Sequence, residues 1–258
     1  MTREQTSFED ALDEAQRLGF AEADPTDDVE GVDAARKVVI TSYLSFNQVI
    51  KLNDVKITGI SGTTLSDINA ADQLGFKIKL IGKGTYENGH VHASVEPTLI
   101  HKSHQLAAVE NEYNAIYVIG DAVGDTMFYG KGAGSLATGS AVVSDLLNVA
   151  LFFESNLHTL PPHFELKTDE TREMMDGEEP VVIQEKLNYY IVLQNNHLTF
   201  DKIENDIKAL LPFHKSLQIA ERDENTVAVI IIGLDQSPED VLNKSGYEVE
   251  KIYPVEGV

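Results

Sequence analysis

A chain of 258 residues with 42% hydrophobic content has enough apolar material for one large packed domain or two small ones. Its 20 basic and 42 acidic residues leave a formal charge of -22, a field that repels phosphate backbones and anionic lipid surfaces, so neither nucleic acid nor a membrane is an expected partner. Cysteine is absent, which removes disulfides, thiolate metal sites and thiol nucleophiles; with a polar, acidic N-terminus and no unbroken apolar run of about 20 residues, a cytoplasmic protein is expected.

Ser7 followed by Asp10 is a variant of the capping box, and Phe8, Ala11, Leu12, Ala15 and Leu18 recur at helical spacing behind it, with Gly19 placed to end the helix. Next comes EADPTDDVEGVDAARK, Glu22 to Lys37, in which six carboxylates crowd around Pro25 and the start of a second helix predicted from Val32 to about Phe46. Asp33 and Lys37 are four apart and share one face of that helix. Their plain reading is an i,i+4 ion pair worth a few tenths of a kcal/mol, about 0.3–0.5. The sharper one is a site: acids that hold an ammonium group and a lysine that donates a proton. A metal held by Asp24, Asp27, Asp28 and Glu30 is not expected, because DPTDDVEG lacks calcium-loop spacing.

Val55 to Ile60 alternates as a strand, Thr64 can cap a helix through Leu74, and Phe76 to Gly82 alternates again. Strands are further predicted over His90 to Val95 and Ala115 to Ile119, so a sheet with helices on one side is expected. The histidine pairs His90/His92 and His101/His104 read as satisfied surface or core residues, there being no HExxH. Glycines then cluster in GDAVGDTMFYGKGAGSLATGS before a helix predicted from Thr138 to Phe153. Backbone freed of side chains can approach a cofactor closely, yet GKGAGS completes neither GxGxxG nor a P-loop, and a tight strand-to-helix turn explains it as well. No GxSxG nucleophile signature is present. From Glu154 to Pro180 periodicity breaks down, and beyond it the order is strand, helix, strand, strand, helix, strand, the ferredoxin-like βαββαβ order.

LGFAEADPTDDVEGVDAARK (Leu18 to Lys37) and GDAVGDTMFYGKGAGSLATGSAVVSDL (Gly120 to Leu146), with DINAADQLGFKIKLIG between them, closely resemble homoserine dehydrogenase over about Ser7 to Phe153. The last unit resembles an ACT-type regulatory domain. The resemblance implies an α+β fold: a catalytic and dimerisation domain over 1–157 with a mixed sheet covered by helices, a linker over 158–180, and an ACT-like domain over 181–258. It implies NADPH or NADH as cofactor and interconversion of L-aspartate 4-semialdehyde and L-homoserine, on the branch toward threonine, methionine and isoleucine. Lys37 matches the lysine that gives a proton to the aldehyde oxygen. Glu22 and Asp33 match carboxylates that hold the substrate's amino group and the lysine, and Asp28 matches a supporting acid. Gly134, with Gly132 and Ala133, matches the turn facing the nicotinamide.

The resemblance further implies a homodimer, an amino-acid effector at the C-terminal domain, and a dinucleotide-binding domain ahead of Met1, without which the chain is expected to be inactive. QNNHLTFDKI departs from the usual opening of the ACT helix, which leaves the effector's identity open. A non-catalytic amino-acid-sensing or dimerisation module is the alternative reading.

Overall fold

The computed structural model describes residues 6–18, 23–132, 134–154, 187–194 and 198–257. Of the sequence expectations, Glu22, Ala133, Gly19 and the 158–180 segment lie outside them.

Helix α1 (Phe8–Arg17) begins as its sequence demands: the Asp10 amide donates to Ser7 Oγ at 3.1 Å, and Ser7 Oγ donates to Asp10 Oδ2 at 2.9 Å. A short helix that the sequence reading did not separate, α2 (Thr26–Val29), precedes α3 (Val32–Phe46). The corner between them is made by Gly31, whose φ of 81° is reached readily only by glycine. Ala35, Val38 and Ser42 form the buried stripe of α3.

That stripe rests on strand β2 (Phe76–Glu87), which runs well past the predicted end at Gly82. A Cβ at Gly82 would overlap the Val38 side chain and one at Gly84 the Ser42 hydroxyl. These glycines let helix and strand touch, so packing overrides their poor strand propensity. Strand β3 (His90–His101) pairs antiparallel with β2 over its whole length through a two-residue turn, Asn88-Gly89, with φ of 52° and 84°. By contrast the predicted strand from Val55 yields only β1 (Lys56–Ile57), parallel to β3.

Helix α4 (Leu65–Gln73) follows a Thr64 cap, and strands β4 (Tyr113–Gly120) and β5 (Gly124–Lys131) form a separate two-stranded sheet. Helix α5 (Ser135–Glu154) comes next. By length and composition the segment Ser135–Phe153 could cross a membrane, against the expectation from unbroken runs: Ser140, Ser144, Asp145 and Asn148 interrupt the apolar sequence without making it polar on average. One such helix is weak evidence for a membrane, and its apolar side chains are exposed here.

The C-terminal unit is β6 (Leu187–Gln194), α6 (Phe200–Leu210), β7 (Ser216–Asp223), β8 (Thr226–Leu234), α7 (Glu239–Lys244) and β9 (Val249–Glu256). All its strand pairs are antiparallel, in the order β9-β6-β8-β7. It does not stand apart. β9 pairs parallel with β3 through Leu99↔Val255 and Ile100↔Glu256, making one seven-stranded mixed sheet from both halves.

One face of the C-terminal strands packs Ile191, Leu193, Val229 and Ile231 against Ile203 and Ile207 of α6 and Leu242 of α7. On the other face Tyr190, Val192, Ala228, Ile230 and Tyr253 meet Ala70 and Ala71 of α4, with Phe76 and Leu99. Burial on both faces explains why β8, TVAVIIIGL, is continuously apolar instead of alternating. α3 continues the α4 layer over Val55 and Val95, so helices of the first half cover one face of the sheet and those of the second half the other.

Candidate active site

Two short helices and a glycine corner build the acidic site. Pro25 opens α2, where the Asp28 amide donates to Pro25 O at 3.0 Å and the Val29 amide to the same oxygen at 2.9 Å. Asp24 Oδ1 accepts from Thr26 N at 3.2 Å and Thr26 Oγ1 at 2.6 Å, bonds that hold its carboxyl below the usual carboxylate range. Asp28 is exposed on α2. Gly31 then turns the chain into α3, where Lys37 Nζ meets Asp33 Oδ2 at 2.6 Å.

A second pair lies beside it: Arg36 Nη1 contacts Asp27 Oδ2 at 2.5 Å, bridging α3 back to α2, and this raises the guanidinium's already high pKa further. Sequence reasoning missed Arg36. Its signal was present, since a second cation adjoins Lys37 in a run otherwise rich in acids, but Asp27 and Arg36 become neighbours only once Gly31 has folded one helix onto the other.

The corner is fixed from below. A Cβ on Gly31 would stand 2.9 Å from Val95 Cγ1, and Ile60 N donates to Val29 O at 2.9 Å. Asp33 and Lys37 therefore project from a firmly seated backbone while their side chains stay open to solvent at 41% and 62%.

The glycine turn is a separate feature. Among the described residues no hydrogen bond or ion pair joins Gly132 or Gly134 to α3. Its two described glycines have different causes. At Gly132 a Cβ would overlap the Asn114 side chain, so packing alone demands glycine there. At Gly134, φ is 110° and among the described residues nothing lies within 4 Å of where a Cβ would stand, so the backbone is open toward them on that side, just where the first turn of α5 begins. A groove of about 680 Å³ on the α7 side of the sheet, bordered by Lys56, Lys83, Glu96, Tyr189 and Glu256, contains none of the site residues.

Comparison with known proteins settles the lineage. Residues 1–147 match the family model described as homoserine dehydrogenase, and residues 186–258 match that of the homoserine dehydrogenase C-terminal domain. Homoserine dehydrogenase of Bacillus subtilis is 38% identical over 271 residues, covering 100% of this chain and 60% of the relative. The crystal structure of Staphylococcus aureus homoserine dehydrogenase at pH 6.0 aligns with a TM-score of 0.85 and 71% identity over 100% of this chain and 61% of that one. The homoserine dehydrogenase from Thiobacillus denitrificans aligns with a TM-score of 0.77 and 33% identity, covering 99% and 60%.

The fold is an α+β domain that shares its sheet with a ferredoxin-like βαββαβ C-terminal unit. The chain belongs to the homoserine dehydrogenase family. It spans about three fifths of the length of these relatives.

Proposed function

We propose that this chain supplies the substrate-binding and proton-transferring side of an NAD(P)-dependent homoserine dehydrogenase that interconverts L-aspartate 4-semialdehyde and L-homoserine in the cytoplasm. The observation that carries this reading is the Lys37–Asp33 pair, set on a rigid helix start and left open to solvent, in a chain of this family.

The Lys37 ammonium is placed to donate to a carbonyl oxygen as negative charge develops on it, and to hold that charge until the proton has moved. Asp33 orients the ammonium. Asp28, with Glu22, supplies negative charge for a substrate amino group, fixing the carbonyl relative to Lys37. In the reverse direction the same lysine, deprotonated, accepts the hydroxyl proton. A nicotinamide cofactor would supply or remove the hydride, and the open backbone at Gly134 fits close approach by such a group; Gly132 and Ala133 are assigned to the same cofactor-facing segment of the sequence. The Gly132 amide donates to Glu112 O at 3.1 Å, which ties this end of the turn to the start of β4.

A homodimer agrees with the apolar surface that β4, β5 and α5 leave exposed, and an amino-acid effector at the C-terminal unit agrees with its βαββαβ order. The decisive assay follows NADPH oxidation driven by L-aspartate 4-semialdehyde. Combined with a dinucleotide-binding domain of this family the chain should turn over this aldehyde, and without one little turnover is expected. An intact protein inactive with this aldehyde would sink the assignment. Calorimetry with threonine, methionine and isoleucine tests the effector, and no heat with any of them removes it.

A further inference from the structure

We propose that Lys251 and Arg222, both in the C-terminal unit, are positioning residues for the Asp33–Lys37 site, acting through buried Asp67 and the loop between β1 and α4. This rests on the reading of that site as the catalytic one.

Asp67 begins as an ordinary helix cap. Thr64 N and Oγ1 donate to its Oδ2 at 2.9 and 2.8 Å, and the Asp67 amide returns a bond to Thr64 Oγ1 at 3.3 Å. A cap needs only an exposed carboxylate, but Asp67 is fully buried. Arg222 Nε of β7 donates to Asp67 Oδ1 at 2.5 Å, and Lys251 Nζ of β9 to Oδ2 at 2.6 Å. These partners lie 155 and 184 residues further along the chain. Arg222 also reaches Thr64 Oγ1 at 3.3 Å, Thr226 Oγ1 at 3.0 Å and Glu250 Oε1 at 3.3 Å. Burying a carboxylate between two partly buried cations is costly, and such clusters are better suited to fixing one arrangement than to adding stability.

Lys251 carries the arrangement onward, because its Nζ also donates to Gly62 O at 2.6 Å and so ties the loop to β9. Nearby, Thr63 Oγ1 and the Tyr253 hydroxyl are 3.4 Å apart. At its other end the loop is anchored to the site. Ile60 N donates to Val29 O at 2.9 Å, and Thr58 N donates to Val95 O at 2.7 Å. A Cβ on Gly59 would stand 2.8 Å from Glu30 Cα and 2.9 Å from Val29 O, so strand-like backbone here lies flat against the α2–α3 corner. From that corner Gly31 launches the helix that carries Asp33 and Lys37. The loop is a short strap with the C-terminal unit holding one end and the catalytic corner resting on the other.

Hydrogen exchange on the full 258-residue chain tests the strap without requiring turnover. Lys251→Met leaves Asp67 paired with Arg222 and removes the tie to Gly62. Amides over residues 26–36 should then exchange about tenfold faster, those of β6 and β8 should be unchanged, and Lys251→Arg should restore most of the protection. Faster exchange confined to the 58–67 loop, or spread evenly through β6 to β9, would overturn the proposal. Activity of Lys37→Ala in the intact protein decides separately whether the positioned helix is the catalytic one.

Discussion

Lys37 Nζ stands 2.6 Å from Asp33 Oδ2, one helical turn away, while both side chains remain largely exposed. An exposed i,i+4 pair contributes about 0.3–0.5 kcal/mol to stability. Lys37→Ala should therefore melt almost where the parent does, whereas kcat of the intact enzyme should fall about a hundredfold or more through loss of a general acid. Steady-state kinetics with L-aspartate 4-semialdehyde and NADPH reads this out, and near-normal turnover reduces Lys37 to half of an ion pair.

Asp67 makes stability depend on pH in a definite direction. Burial opposes its charged form, but hydrogen bonds from Arg222 and Lys251 outweigh that and hold its carboxyl below the usual carboxylate range. A depressed folded value means that the contribution is fully present above the unfolded value, about 3.9, and is lost as pH falls through the folded one. Asp67→Asn keeps an oxygen for the cap yet removes the charge, and should cost about 3–5 kcal/mol at neutral pH, as for a broken buried pair. Urea titrations from pH 7 down to pH 3 should show the gap between the two proteins closing below pH of about 4. A constant gap would mean that Asp67 acts only as a cap.

Gly59 has no room for a methyl group, because Glu30 and the Val29 carbonyl occupy its place. Gly59→Ala should push the corner away from the sheet and cost about 1–3 kcal/mol, as overpacking does. The matching fall in Tm is about 2–12 °C for a protein of this size. Gly62→Ala, three residues on with nothing within 4 Å, is the control that should leave Tm unchanged. Equal melting of both variants would contradict the packing described for the corner.

Ile116 and Phe128 face each other across β4 and β5, yet are 49% and 63% exposed. Leu146, Leu147 and Phe153 of α5 are likewise exposed, apolar side chains of the kind that subunit interfaces bury. A second copy of the chain is the proposed occupant, so size-exclusion chromatography should give a dimer and Phe128→Asp should shift it to monomer. A monomer at micromolar concentration without the substitution would remove that proposal.

The helices were legible where their signals are local. Ser7 with Asp10, and Thr64, mark caps from their local sequence, and the predicted span of α3 agrees with Val32–Phe46. Lys37 and Asp33 were legible for the same reason, since helical spacing alone places them together. What escaped depends on distant neighbours. β2 runs past Gly82 because α3 lies on it, β1 stops after two residues because the chain beyond Thr58 leaves β3 for the α2–α3 corner, where Ile60 N donates to Val29 O, and the buried cluster around Asp67 went unread because Arg222 and Lys251 are far along the sequence. The pairing of β3 with β9 has no local signature either; it joins in space two segments that a break in periodicity had set apart.

That pairing bears on any attempt to shorten the protein. The long edge of β3 is shared: β1 occupies it at Ser94 and Val95, and β9 at Leu99 and Ile100. A version ending before Leu187 would expose not only an unpaired strand edge but also Phe76, Leu99, Ala70 and Ala71, which are sealed by the second half. A bare edge above an apolar floor is a template for intermolecular sheet growth. The C-terminal unit thus also acts as a guard against aggregation of the half that carries Lys37.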